Sequence, residues 1–218
     1  MSPASGVSTR SDQRVDGHRT VLEMLAVLLL GIGSVATAWC GFQASHWMGE
    51  EAKQSRNAGI ARTRESQLFG LGTQKFAYDA TMTTQYAQAV SSGDVKVQKF
   101  LRDNLVRPEF LPVLDEWEAR IAAGSPPGNL FDNTKYTNSL FVESRAAAAE
   151  GDAALALAEE ASQNGDDYLL MTLLTATVLF FAGVTTSFSS RPARLALLSV
   201  AGIALALAAS RLADLPVI

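Results

Sequence analysis

Residues 24–49 read MLAVLLLGIGSVATAWCGFQASHWMG, and this stretch decides the fold. Leaving His46 aside, no acid or base stands between Glu23 and Glu50, a gap of 26 residues. A hydrocarbon core about 30 Å thick needs roughly 20 apolar helical residues, so this segment is long enough to span a bilayer. A second uncharged run covers 168–190 and a third covers 195–210. The third reaches across only by borrowing Ala213 to Ile218 while Arg211 snorkels toward water. With 48% hydrophobic and 18% charged residues, the whole chain is apolar for a soluble protein of 218 residues. The expected class is an all-α membrane protein: three transmembrane helices, with a long extracytoplasmic helical hairpin or bundle inserted between spans 1 and 2.

Charge outside the spans is uneven. Residues 41–167 hold 12 Lys/Arg and 18 Asp/Glu. This acidic surface excludes nucleic acid as a partner, because phosphate binding needs a basic patch. The single cysteine, Cys40, leaves no internal disulfide to form. Arg10, Arg14 and Arg19 precede the first span, and Arg191 and Arg194 fill the short connection between spans 2 and 3. The positive-inside rule therefore places both segments in the cytoplasm and 41–167 outside, in a bacterial inner membrane. A cleavable signal peptide ending at Ala36-Thr37-Ala38 is the competing reading of span 1. Glu23 inside the apolar region, the long leader and bulky Trp39 after the cut all count against it.

Proline marks the breaks, since an interior proline kinks or ends a helix. Residues 4–107 and 128–191 contain none. The first interval predicts a helix from about Arg19 to about Val90, stopped by Ser91-Ser92-Gly93. Asp94 caps a short helix to about Leu105, and Pro108 opens another, from Glu109 to about Ala123. Gly124 to Gly128 is a loop, and a second long helix runs from about Thr134 to about Ser187. The predicted organisation is a disordered cytoplasmic leader 1–18, span 19–40, extracytoplasmic helical domain 41–167, span 168–188, cytoplasmic connection 189–194 and span 195–215. At 1.5 Å per residue the arms 41–90 and 134–167 project about 75 Å and about 50 Å. Either the short helices make up the difference, or the first arm bends at Gly70-Leu71-Gly72.

Four groups of residues are singled out. Trp39, Phe42, Trp47 and Tyr168 stand where helices cross the membrane boundary and are expected to be interface anchors. Gly33, Thr37, Gly41, Ser45 and Gly49 recur every four residues, a small-residue ribbon along which another membrane helix can pack closely. Thr172 and Ala176, or Gly202, Ala206 and Ser210, are similarly spaced partners inside the chain, and a second copy is the alternative. Glu23 is expected to pair with Arg191 or Arg194 at the cytoplasmic face. Phe100, Phe110, Leu114, Trp117 and Ile121 are expected to form a core at the tip, the last four at helical spacing. Between tip and membrane the arms are polar (50–67) or alanine-rich (146–161), and they bury little area per residue.

No catalytic motif is present: no phosphate-binding glycine loop, no Gly-x-Ser-x-Gly and no paired histidine ligands. His46 with Asp166 and Asp167 lacks metal-ligand spacing, and His18 lies in the leader. No metal, cofactor or enzymatic activity is expected.

The segments 39–52 (WCGFQASHWMGEEA), Ser92-Gly93-Asp94, Arg107-Pro108-Glu109-Phe110 with Trp117, Asp166-Asp167-Tyr168 and Leu179 to Gly183 together resemble a family of uncharacterised bacterial three-span membrane proteins. The likeness runs from about residue 20 onward and implies the layout above but no activity. The arrangement of span, helical hairpin and span also resembles chemoreceptor input domains. It departs from them in having a third span where a cytoplasmic signalling helix would follow. The expected function is an interaction, scaffold or accessory subunit, embedded in the lipid bilayer and joined to a protein partner or to a homo-oligomer. A sensory or ligand-binding module relaying a helix shift is the alternative. The arginine distribution predicts that a cysteine placed at Ser125 reacts with an impermeant thiol reagent from outside, while one at Ser189 does not; labelling at Ser189 in intact spheroplasts reverses the orientation.

Overall fold

The computed structural model describes residues 9–126, 128–133, 135–136 and 138–218, with side chains from residue 21 onward. Residues 1–8 of the expected leader, and the side chains of Arg10, Arg14, His18 and Arg19, lie outside that description. The described residues contain helices and no strand. The helices are α1 (Thr9–Ser92), α2 (Val95–Asn104), α3 (Leu111–Ala122), α4 (Ser139–Thr185) and α5 (Arg191–Leu212), with 3₁₀ turns at Pro108–Phe110 and Leu130–Asp132. Three of them, α1, α4 and α5, are long and apolar enough to cross a membrane.

Element order follows the proline map, with shifted ends. Helix α1 begins at Thr9, so residues 9–18 of the expected disordered leader are helical; extending an existing helix costs far less than nucleating one. It continues as helix through Gly70 and Gly72, one of the two places the sequence offered for accommodating the unequal arms. Helix α4 starts at Ser139 rather than near Thr134, after a 3₁₀ turn in which the Asn129 side chain accepts from the Phe131 amide. The ends of α1 and α3 carry Gly93 and Gly124 at φ of +70° and +71°, a left-handed conformation that glycine adopts without penalty. The Asp94 and Ser125 amides then donate back to Ala89 and Arg120 carbonyls, closing the two helix ends.

The chain forms two compact units: one of residues up to Ser55 together with Leu155–Ile218, the other Arg56–Ala154. Residues 41–55 and 155–167, expected in the extracytoplasmic domain, fall in the same unit as the apolar helices.

In the Arg56–Ala154 unit, α1 and α4 run antiparallel. Ala58, Ala61 and Gly72 on α1 and Ser144, Ala147, Gly151 and Ala154 on α4 are buried. On α4 these positions follow steps of three and four residues, the 3.5-residue repeat of a coiled coil. Because they are small, the backbones come close. A Cβ on Gly72 would sit 2.9 Å from Phe141, Asn138 Nδ2 donates to the Gly72 carbonyl at 2.9 Å, and Ser144 Oγ donates to the Glu65 carbonyl at 3.3 Å. Arg62 bridges Asp152 at 2.5 Å.

Beyond this seam, Tyr86 and Ala89 of α1 pack with Leu101 of α2, Val113, Leu114 and Trp117 of α3, and Phe110 and Leu130 from the 3₁₀ turns. Aromatic edges fill the gaps: Phe76 to Phe131 at 4.8 Å and Phe110 to Tyr136 at 5.8 Å. Of the expected tip core, Phe110, Leu114 and Trp117 are buried and Ile121 packs against them. Phe100 is not part of it. It is 56% exposed, and its neighbour Leu101, a hundred degrees further round α2, takes the inward position at 5%.

In the other unit, α1, α4 and α5 pack as three helices. Cys40 and Ala44 meet Tyr168, Met171 and Ala208, and Val178 meets Ala201 and Ala204, with Leu29, Phe181 and Leu205 against them. The outward faces are apolar: Val27, Val35, Leu173, Phe180, Ile203 and Leu207 are all exposed. Only 11% of the most apolar window of α1 is buried, so its surroundings must supply the apolar contact, as lipid does.

The burial pattern predicts that Leu101→Ala destabilises the full-length protein by about 2–5 kcal/mol, while Phe100→Ser changes stability by no more than about 0.5 kcal/mol. Chemical unfolding followed by tryptophan fluorescence checks both; equal effects would place Phe100 in the core.

Candidate functional site

The small-residue ribbon of α1 divides in two. A Cβ on Gly33 would meet Leu179 Cδ2 at 2.9 Å and Val178 at 3.6 Å, and Thr37 Oγ1 lies 2.9 Å from Thr175 Oγ1. Gly41 and Gly49 have open space at the Cβ position, and Ser45 is exposed. The reason is angular. Four-residue steps drift about 40° each, so by Gly41 the ribbon has left the contact face. The face actually buried alternates threes and fours through Gly33, Thr37, Cys40 and Ala44, which keeps it turned to α4. Within the chain the seam thus holds Gly33 and Thr37, while Gly41, Ser45 and Gly49 lie off it. On α4 the residues that meet Gly33 and Thr37 are Val178, Leu179 and Thr175.

Glu23 and Arg194 are brought together, with Arg194 Nη1 3.3 Å from Glu23 Oε1. The Arg194 side chain is nearly buried, and its Nε donates to the Phe188 carbonyl at 2.6 Å. Arg191 is exposed at the start of α5.

The four boundary aromatics behave differently from one another. Trp39 and Phe42 are exposed, and their rings stand 6.1 Å apart. His46 lies against Phe42 at 5.1 Å. Tyr168 is fully buried, and Trp47 partly so. Both donate to the Pro216 carbonyl, Tyr168 Oη at 3.1 Å and Trp47 Nε1 at 3.3 Å. Beside them Gln43, fully buried, donates to the Ile218 carbonyl and accepts from the Ile218 amide, both at 3.4 Å. Sequence reading passed over Gln43. The signal was available: it is the only amide side chain in the 26-residue uncharged run.

In the Arg56–Ala154 unit a second polar cluster went unpredicted. Asp79 is buried at 1% exposure and receives two bonds from Arg107, Nε to Oδ1 at 2.8 Å and Nη2 to Oδ2 at 2.5 Å, with Tyr136 Oη at 3.4 Å. The Asp79 carboxylate holds the Arg107 guanidinium above its ordinary value. An acid in step with Gly72 and Tyr86 at seven-residue spacing marks a buried charge in need of a partner, and such a pair is strongly destabilising to break.

The surface best suited to recognition is formed by α2 and α3. A cleft of about 510 Å³ is lined by Tyr86, Val90, Lys99, Arg102, Trp117 and Glu118, among others. Tyr86 Oη donates to Glu118, and Arg102 pairs with both Glu118 and Asp115. Burial pushes the Tyr86 hydroxyl pKa up, and the Glu118 carboxylate adds to the rise. The Trp117 Nε1–H is buried with no acceptor among the described residues. Along the outer arc of α2, Val95, Phe100 and Val97 are exposed, with Lys96 and Lys99 between them. No group of three or more metal-binding side chains occurs among the described residues.

No protein family, curated protein or solved structure matches this chain.

The divided ribbon predicts opposite outcomes for two glycine substitutions. Gly33→Leu drives a side chain into Leu179 and lowers stability by about 1–3 kcal/mol, whereas Gly41→Leu leaves the thermal unfolding of the detergent-solubilised protein unchanged. A loss at Gly41 that matches the loss at Gly33 would restore the four-residue ribbon as the seam.

Proposed function

We propose that this chain is a non-enzymatic integral membrane protein that acts as an interaction, scaffold or accessory subunit. In this reading it belongs with the three-span bacterial membrane proteins it resembles, sits in the inner membrane with its N-terminus cytoplasmic, and displays residues 41–167 outside as a helical hairpin or bundle. The observation that carries the reading is the outer arc of α2. Phe100 and Val95 are 56% and 71% exposed on a short helix whose other side is fixed by Leu101. The unit that bears them holds 11 Lys/Arg and 12 Asp/Glu, so it presents a polar surface to water. The exposed ring and valine beside Lys96 and Lys99 support the reading of α2 as a contact surface.

The alternative is a sensory module. It is favoured by one feature, the cleft with the unpartnered Trp117 Nε1–H, whose size falls within the roughly 300–1,000 Å³ of small-molecule sites.

A photo-crosslinking residue at Phe100 in native membranes is expected to give a discrete adduct of reproducible mass, absent when the same group is placed at exposed Gln85. An adduct from both positions, or from neither, removes the scaffold reading. A thermal shift with a small-molecule library that is lost in Trp117→Phe would establish the sensory one instead.

A further inference from the structure

We draw no further inference here: the strongest candidate, the cleft of α2 and α3 lined by Tyr86, Lys99, Arg102 and Trp117, belongs to the site already described, and nothing in the structure shows what fills it.

Discussion

Close approach of α1 and α4 through small side chains is the constraint on which the other features depend. Ala58, Ala61, Gly72, Ala147, Gly151 and Ala154 in one unit, and Gly33, Thr37, Cys40 and Ala44 in the other, are the small residues at the contact, and a Cβ added at Gly72 or Gly33 would come within 2.9 Å of Phe141 or Leu179. That proximity puts backbone carbonyls within reach of side chains across the seam, as Asn138 and Ser144 demonstrate. Its cost is area. An alanine buries far less apolar surface than a leucine, and at roughly 25 cal/mol per Å² the seam alone is weakly held. Stability in the Arg56–Ala154 unit must then come from the α2–α3 core, where Tyr86, Phe110, Leu114 and Trp117 supply large buried surfaces.

A seam of alanines also specifies register poorly. Sliding one helix by a full seven residues would set one small residue against another at nearly equal energy. The buried polar pairs remove that ambiguity. Asp79 finds Arg107 and Tyr136 in only one alignment, Thr37 meets Thr175, and Arg194 reaches Glu23 and the Phe188 carbonyl together. A slipped register would strand a nearly buried carboxylate and a nearly buried guanidinium, each far costlier than a mismatched alanine. In this protein the polar groups select the alignment that the apolar groups permit.

Much of the fold is legible in the sequence because its determinants are local. Uncharged runs mark the apolar segments, prolines mark the breaks, and Asp94 caps α2 through the Val97 amide. The sites are less legible because they rest on angles accumulated along a helix. Counting by fours picked Gly41, Ser45 and Gly49, whereas packing follows alternating threes and fours and picks Cys40 and Ala44. At the other end Phe100 is the larger hydrophobe, but the turn that sets Leu101 inward also sets Phe100 out. The Gln43 contacts lay beyond any local reading, since their partner is 175 residues away. What sequence does offer there is the anomaly itself, an amide in an uncharged span.

Exposed apolar side chains carry different meanings in the two units. Around the three apolar helices they occur on every outward face, as Val35, Leu173, Phe180 and Ile203 illustrate, and a lipid surround accounts for all of them at once. In the Arg56–Ala154 unit Ile60, Phe69, Leu71, Phe100 and Val142 are exposed on helices that also carry charges, and the helical neighbours of Phe100 are Lys96, Val97, Asp103 and Asn104. Lipid accounts for exposed apolar groups on an apolar helix and not for those set among charges. A core position does not account for Phe100 either, because Leu101 already fills the inward site and Asp94 fixes the rotation of α2 about its axis. Phe100 is thus left facing solvent on the outer side of α2, beside Lys96 and Asp103.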